Sequence, residues 1–375
     1  MKRAIVLGGG GPACGLQIGA LRAFAEHEIE FDVWSLSCIG AWVGLVYHQF
    51  EGTPAERTEQ TYHFFRKVFR PDDVHAAFPV NAAFAPDLRK SVTSMLEFFT
   101  SLKTYRQLVV PHEIIDFWRE TIDMVRDSRR WTEGDFNAWA LKLSGAHPLT
   151  RFLTSAIYRT SANGLARIYY PDSSFLQAMK FTRLLRTDRP LIYHNAWNLT
   201  RRRLEYFTNR IDNYKIIDAQ TLCACSALPY VFAPIEMDGE MYCEGAMIRP
   251  MDFDPLINHP DLDEVWSLPI VDNAQVRTPE DMTGAMGNLP MMPAGAHGAD
   301  LAESFRRDVK EKGGSVKIIE VETSNAINYE WSHSNLDHCC HEGYDAAKKA
   351  ISKYLTELTA APRPETQPQP GSVAW

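Results

Sequence analysis

Residues 31–44 read FDVWSLSCIGAWVG, and this stretch decides the fold. The apolar run that ends at Leu36 predicts a strand, and the spacing from Ile39 onward predicts a helix, so Cys38 falls at a sharp strand-to-helix turn. A side chain at such a turn is presented at the end of the sheet, beside the positive end of the helix dipole. Gly40 lets the helix pack closely behind it. The stretch predicts a nucleophile elbow with a thiol at its tip, although a small buried apolar cysteine is the alternative interpretation.

A glycine-rich loop follows the first predicted strand. Residues 2–7 read KRAIVL, Gly8–Gly11 come next, and helical apolar spacing occupies residues 16–24. Backbone N–H groups with no side chain in the way suit an anion, either a phosphate or the oxyanion of acyl transfer. The glycine spacing does not fit the dinucleotide-binding motif, and no Lys-Ser/Thr pair follows, as a phosphate-binding loop would need.

A third segment ends in an acidic residue. Residues 219–229 read AQTLCACSALP, which predicts a helix of small residues stopped by proline, and Asp238-Gly239 predicts a turn. A short strand follows and ends at Glu244-Gly245-Ala246. A carboxylate at the end of a strand is well placed to face a catalytic centre, whereas the alternative is an ordinary solvated glutamate in a turn.

Together these segments resemble the patatin-like phospholipases, also called patatin-like acyl hydrolases. The resemblance rests on the glycine loop at 8–11, the elbow at 36–40, the helix and proline motif at 224–234 and the acidic motif at 244–246, with weaker likenesses at 191–199 and 343–346. It implies a three-layer α/β/α fold with a mainly parallel central sheet and a helical cap insertion. It also implies a catalytic pair of Cys38 and Glu244, an oxyanion hole of Gly9, Gly10 and Gly11, and Gly40 in the elbow, with no metal and no cofactor.

The chain departs from the family at the site itself. Cys38 stands where the family has serine, Glu244 stands where it has aspartate, and Leu36 replaces the first glycine of the elbow. Three explanations are open: a chemistry that uses a thiol, a non-catalytic relative that binds an acyl ligand or a partner, and an engineered exchange of serine for cysteine at residue 38. Engineering at residue 38 would not explain Glu244.

A thiol changes the chemistry that the site needs. Its reference pKa of about 8.5 is far below that of a serine hydroxyl, and a helix N-terminus is expected to lower it further. Glu244 could take the proton and leave a thiolate beside a neutral acid. We therefore expect an acyl hydrolase or acyltransferase that acts on a lipid-like ester, an acyl thioester or an activated carbonyl.

Composition limits the partners. The chain has 375 residues, 45% of them hydrophobic, and a formal net charge of −8. This charge argues against nucleic acid as a partner, whereas an acyl-bearing small molecule or lipid fits, and transient contact with a membrane surface stays open. Seven cysteines with no secretory signal suggest a reduced, cytoplasmic setting. The contiguous His338–His341 run lies in a predicted helix, where its side chains cannot converge on one metal ion.

The expected organisation is one domain over residues 1–358. Its core comprises residues 1–51 and 188–358, and residues 52–187 form the helical cap insertion, rich in aromatic residues that we expect to pack on each other. Residues 272–298, rich in Gly, Pro and Met, predict an irregular segment suited to a lid or a partner surface. Residues 359–375 predict a disordered, proline-rich tail.

Overall fold

The first strand, β1 (Arg3–Leu7), shows how this sequence builds a sheet that is covered on both faces. Ile5 and Leu7 belong to one hydrophobic cluster, whereas Ala4 and Val6 belong to another, and none of the four exposes any surface. Successive side chains of a strand point to opposite faces, so both faces of the sheet are packed. Continuous apolar runs are typical of parallel strands that are buried in this way.

The computed structural model describes residues 1–77, 85–86, 88–102, 105–106, 111–126, 132–152, 166–169, 173–210, 214–229, 231–271, 278, 282–323 and 330–360. The predicted tail at 359–375 lies almost entirely outside these ranges. The remaining strands are β2 (Val33–Leu36), β3 (Ala85–Pro86), β4 (Ala166–Arg167), β5 (Leu191–Asn198), β6 (Arg203–Thr208), β7 (Lys215–Ile216), β8 (Ile235–Met237), β9 (Glu240–Glu244), β10 (Glu264–Leu268) and β11 (Lys317–Glu320).

The central sheet is mainly parallel. Its order over the described residues is β11-β10-β1-β2-β5-β6-β7, and β9 pairs with both β5 and β8. The pairs β10–β11, β1–β10, β1–β2, β2–β5 and β6–β7 are parallel, whereas β5–β6, β5–β9 and β8–β9 are antiparallel. In such sheets ligands bind beyond the carboxyl ends of the parallel strands.

The strand register brings the predicted site residues together. Leu36, at the end of β2, lies opposite Leu7 on one side and His194 on the other. Two residues beyond His194, Ala196 lies opposite Glu244 on the antiparallel β9. Because Cys38 also lies two residues beyond Leu36, the elbow, the end of β1 and the end of β9 reach the same edge of the sheet.

Helices cover both faces of the sheet and complete three layers. The described helices are α1 (Gly15–Glu26), α2 (Ile39–Gln49), α3 (Pro54–Val68), α4 (Asp72–Ala77), α5 (Leu88–Thr100), α6 (Pro111–Arg126), α7 (Glu133–Ala146), α8 (Ser174–Ala178), α9 (Phe181–Leu184), α10 (Ala219–Cys225), α11 (Met282–Glu311) and α12 (His333–Ala360). The cluster on one face includes side chains of α1, α2 and α12, and the cluster on the other includes Phe305 of α11. The predicted three-layer α/β/α fold is confirmed.

The segment between residues 52 and 187 divides into two kinds of structure. At its ends it packs on the core, since α3 contacts α1 and α2, and Phe175 of α8 stacks on Trp42 with ring centroids 4.1 Å apart. Within it, α6 and α7 pack together through Phe117 and Trp139, whose rings stack at 5.9 Å. Aromatic packing between these helices is as predicted, and the cap boundaries at 52–187 stay a prediction.

One prediction about regular structure is wrong. Of the segment 272–298 that was predicted to be irregular, residues 282–298 belong to the 30-residue helix α11, whereas residues 272–277 and 279–281 lie outside the described ranges. Glycine and proline lower helix propensity locally, but the surrounding fold overrides such a preference. Among the described residues, no helix combines the length and the apolar character needed to cross a membrane.

Close packing of α1 against α12 generates a first prediction. A Cβ on Gly343 of α12 would overlap the carbonyl oxygen of Leu16 in α1, the helix that follows the glycine loop. We expect Gly343→Ala to lower the free energy of unfolding by about 1–3 kcal/mol, because the two helices must separate to admit the methyl group. Chemical denaturation measures this, and Gly134→Ala is the control, because its Cβ would find an ordinary contact at 3.6 Å. Equal stability of the two variants would contradict this packing.

Candidate active site

Cys38 lies at the tip of a strained elbow. Strand β2 ends two residues before it and α2 begins at the next residue, so the whole change of direction falls on Cys38, with φ 49° and ψ −121°. A positive φ at a residue other than glycine costs free energy and persists only where the surroundings hold it. Gly40 contributes, since a Cβ there would lie 2.5 Å from the carbonyl oxygen of Leu7. The helix can therefore start directly behind the elbow only with glycine at this position.

The glycine loop lies directly against the elbow. A Cβ on Gly9 would lie 3.0 Å from Cβ of Cys38 and 3.1 Å from Cβ of Ala246. The glycine loop, the elbow and the acidic motif, which are far apart in the sequence, thus meet at one point.

Gly9, which was predicted to donate to an oxyanion, has a backbone partner within the protein. Its N–H already donates to the carbonyl oxygen of Pro250 at 3.2 Å, and the N–H of Gly8 donates to Leu268 at 3.2 Å. These bonds fix the start of the loop to the segments around β10. The N–H groups of Gly10 and Gly11 make no hydrogen bond to a described residue, so they are the candidate donors in this loop. Gly11 has φ 54°, a left-handed conformation that favours glycine.

Glu244 is a buried acid in contact with the thiol, not a solvated residue of a turn. It ends β9 with 6% of its surface exposed, and its N–H donates to the carbonyl oxygen of Ala227 at 3.1 Å. Burial raises the pKa of the Glu244 carboxyl to about 7, an effect that a hydrogen bond from the Cys38 thiol partly offsets. The longer side chain of glutamate therefore still reaches the elbow.

The surroundings of Cys38 keep its thiol protonated. Burial, and then the nearby Glu244 carboxylate, raise the pKa of this thiol well above its usual value. The N–H of Ile39, at the start of α2, acts in the opposite direction with a smaller effect. The expected lowering by the helix N-terminus is thus present but is outweighed by loss of contact with water. The resting state is a neutral thiol beside the carboxyl group of Glu244.

The structure adds contacts that no motif indicated. The N–H of Cys38 donates to Sγ of Cys225, at the end of α10, at 3.2 Å. Asn195 of β5 donates to Ser37, the residue before Cys38, and to the buried Asp252. Only tertiary folding brings Asn195 and Asp252 to the site. Among the described residues, no group of three or more His, Cys, Asp or Glu side chains is arranged to bind a metal ion.

The chain is similar to one protein family and to solved structures. The sequence profile of the patatin-like phospholipase family matches residues 5–257, more than half of the chain. No curated protein sequence matches the chain. Among solved structures, VipD from Legionella pneumophila is similar, with 13% identity and a TM-score of 0.37 over 94% of this chain and 67% of that one. The human GIVD cytosolic phospholipase A2, in complex with methyl gamma-linolenyl fluorophosphonate, has 11% identity and a TM-score of 0.36 over 96% of this chain and 58% of that one.

The buried carboxyl of Glu244 predicts a pH-dependent stability. Its pKa is about 7 in the folded state and 4.5 as the ordinary value, so the folded state holds the proton more tightly. Stability due to this group therefore falls as the pH rises from about 4.5 to about 7 and stays low above it. We expect Glu244→Gln to raise the free energy of unfolding by roughly 3 kcal/mol at pH 8 and to change it little at pH 4.

Glu240, on the same strand, is the control with the opposite sign. A hydrogen bond from Asn198 lowers the pKa of its carboxyl, so Glu240→Gln should reduce stability at pH 8. Denaturant titrations of both variants at pH 4 and pH 8 measure these differences. If Glu244→Gln fails to stabilise the protein at pH 8, Glu244 is not buried as described.

Proposed function

The chain belongs to the patatin-like phospholipase family, and on that premise we propose that it is an acyl hydrolase or acyltransferase using Cys38 and Glu244. Family membership supports hydrolysis of lipid acyl esters. The finer proposal extends to acyl thioesters and activated carbonyls and replaces the usual serine with a thiol. The observation that carries it is the convergence of Cys38, the glycine loop and the acidic motif, where burial raises the pKa of the Glu244 carboxyl to about 7 and its charge acts on the Cys38 thiol.

In the proposed reaction Glu244 is the base and Cys38 the nucleophile. The Glu244 carboxylate takes the thiol proton as Sγ attacks the carbonyl carbon of the substrate, giving a tetrahedral intermediate with a negative oxygen. Collapse of the intermediate expels the leaving group, which receives the proton from Glu244, and leaves an acyl thioester on Cys38. Glu244 then deprotonates water for hydrolysis, or an acceptor hydroxyl or thiol for transfer, and the thiol is restored.

Backbone donors supply the stabilisation of the negative oxygen. The N–H groups of Gly10 and Gly11 are the proposed donors in the glycine loop. The N–H of Ile39, the residue after the nucleophile, acts on the Cys38 thiol and is a further proposed donor. One such donor is worth about 3–4 kcal/mol of barrier. Proton transfer benefits as well, because a catalytic pKa close to the working pH gives the base both availability and driving force.

The raised pKa of the Cys38 thiol favours a second candidate function. A thiol that stays neutral in a closed site reacts slowly, and the N–H of Gly9 is occupied. Both observations fit a relative that binds an acyl ligand without turning it over. The two functions differ in whether a covalent acyl group ever forms on Cys38.

Intact-protein mass spectrometry separates the two functions. We expect p-nitrophenyl butyrate to add one butyryl group to Cys38, located by peptide mapping, and Cys38→Ala to abolish the adduct. Cys340→Ala is the matched control, because Cys340 is also a half-buried free thiol and lies on α12. Glu244→Gln should slow acylation by a factor on the order of 10², the scale of a positioned proton acceptor. Unmodified wild-type protein that still binds the ester tightly would support the binding function and contradict the catalytic one.

Contact with a lipid surface is the second part of the proposal. On α6 the side chains of Ile115, Trp118, Ile122 and Val125 follow helical spacing and are each at least half exposed. Such an apolar stripe on an amphipathic helix suits the surface of a bilayer. Acidic residues outnumber basic ones on this helix, so we propose a zwitterionic lipid surface as the partner.

Vesicle sedimentation tests this contact. We expect Trp118→Ser to weaken binding to phosphatidylcholine vesicles several-fold, because Trp118 is 59% exposed in the middle of the stripe. Leu199→Ser is the control, since Leu199 is also exposed but lies at the end of β5. Binding that requires anionic lipid, or that is unaffected by Trp118→Ser, would contradict the proposal.

A further inference from the structure

Asn195 lies between the two strands that carry the proposed catalytic pair. It is fully buried in β5. This strand pairs with β2, which leads to Cys38, and with β9, which ends at Glu244. A polar side chain in this place is costly unless it is hydrogen-bonded, so its partners indicate what it does there.

The side chain of Asn195 holds the residue before the nucleophile. Its Nδ2 donates to Oγ of Ser37 at 3.3 Å. Oγ of Ser37 in turn donates to the carbonyl oxygen of Arg249 at 3.1 Å. The N–H of Ser37 donates to the carbonyl oxygen of Leu7 at 3.0 Å. Three hydrogen bonds therefore fix Ser37, next to the strained backbone of Cys38.

Asp252 fixes the orientation of the Asn195 amide. Its carboxylate is almost fully buried and accepts a hydrogen bond from Nδ2 of Asn195 at 2.5 Å. Its other oxygen accepts from the N–H of Asp254 at 3.2 Å, and its carbonyl oxygen accepts from Ser35 of β2 at 2.5 Å. Burial raises the pKa of the Asp252 carboxyl to about 7. Above that pH it is a carboxylate, which accepts hydrogen bonds but cannot donate them, so the amino group of Asn195 then faces Asp252.

The opposite end of the same amide touches the residue after the acid. With its amino group toward Asp252, Asn195 directs Oδ1 toward Gly245, where a Cβ would overlap that oxygen. Asn195 thus contacts Ser37, the neighbour of Cys38, and Gly245, the neighbour of Glu244. It reaches neither reacting side chain through a hydrogen bond of its own.

We propose that Asn195 and Asp252 are positioning residues that set the distance between the Cys38 thiol and the Glu244 carboxyl. This inference rests on the proposed function for its catalytic meaning, but the placement of the two side chains that it concerns exists without substrate. Cys38 occupies a backbone conformation that its neighbours must impose. Small displacements of reacting groups are expensive, since an error of about 1 Å can cost on the order of 10² in rate.

The test compares two buried asparagines, Asn195 within β5 and Asn209, which follows β6 and contacts the start of β5. Asn195→Ala removes the positioning contacts, and Ser37→Ala removes only the hydroxyl that Asn195 holds, as a milder variant. Asn209→Ala is the matched control. Asn209 is 2% exposed, donates to the carbonyl oxygens of Leu184 and Pro190 at 2.9 Å and accepts from the N–H of Ile192 at the start of β5.

Two readouts are needed, one of them independent of turnover. The first is the pKa of Glu244 in the protein without substrate, read from the ¹³C NMR shift of its carboxyl carbon. Because the hydrogen bond from Cys38 lowers this pKa, we expect it to rise in Asn195→Ala and Ser37→Ala and to stay unchanged in Asn209→Ala. The second is single-turnover acylation by p-nitrophenyl butyrate. We expect the first-order rate to fall on the order of 10²-fold in Asn195→Ala, with the half-saturating ester concentration within about twofold of wild type.

The outcomes are distinguishable. A wild-type protein that is not acylated contradicts the proposed function, while a rise in the Glu244 pKa in Asn195→Ala and Ser37→Ala still supports the positioning contact. If the pKa of Glu244 is unchanged in both variants, or if acylation falls in all three in proportion to their melting temperatures, Asn195 serves stability alone and the inference is overturned.

Discussion

The meeting of the Cys38 thiol and the Glu244 carboxyl at one edge of the sheet is the constraint on which the rest of this account depends. Leu36 pairs with His194, and Ala196, two residues further along β5, pairs with Glu244. Cys38 also lies two residues beyond Leu36, so the two side chains meet. A one-residue slip of β9 would turn Glu244 to the other face of the sheet. The pairing of β9 with both β5 and β8 holds this register.

Burial disfavours the ionised form of both Cys38 and Glu244. It raises the pKa of the Glu244 carboxyl to about 7 and that of the Cys38 thiol well above its usual value, so the proton stays on sulfur at rest. The site therefore combines unfavourable burial of two ionisable side chains with a positive φ at Cys38. Both features are common at functional sites. A base with a pKa close to neutrality can take the thiol proton when sulfur attacks and return it to the leaving group.

The sequence was sufficient to predict the fold and the side chains that converge, because these follow from local patterns. The apolar run before Cys38 predicts the elbow, the glycines after β1 predict the glycine loop, and the acid at the end of a short strand predicts the catalytic carboxylate. The hydrogen-bond partner of Gly9 could not be predicted, since Pro250 reaches it only through tertiary folding. Asn195 and Asp252 were missed for the same reason. The direction of the thiol pKa was wrong because a sequence shows a helix N-terminus but not the degree of burial.

The pH dependence of Cys38 acylation tests the central claim most directly. Single-turnover rates with p-nitrophenyl butyrate between pH 5 and 9 should rise through one ionisation close to pH 7, as the Glu244 carboxyl loses its proton. The same ionisation should disappear in Glu244→Gln. A rate that instead keeps rising into the alkaline range in both proteins would show that the thiol ionises without Glu244, and would contradict the account.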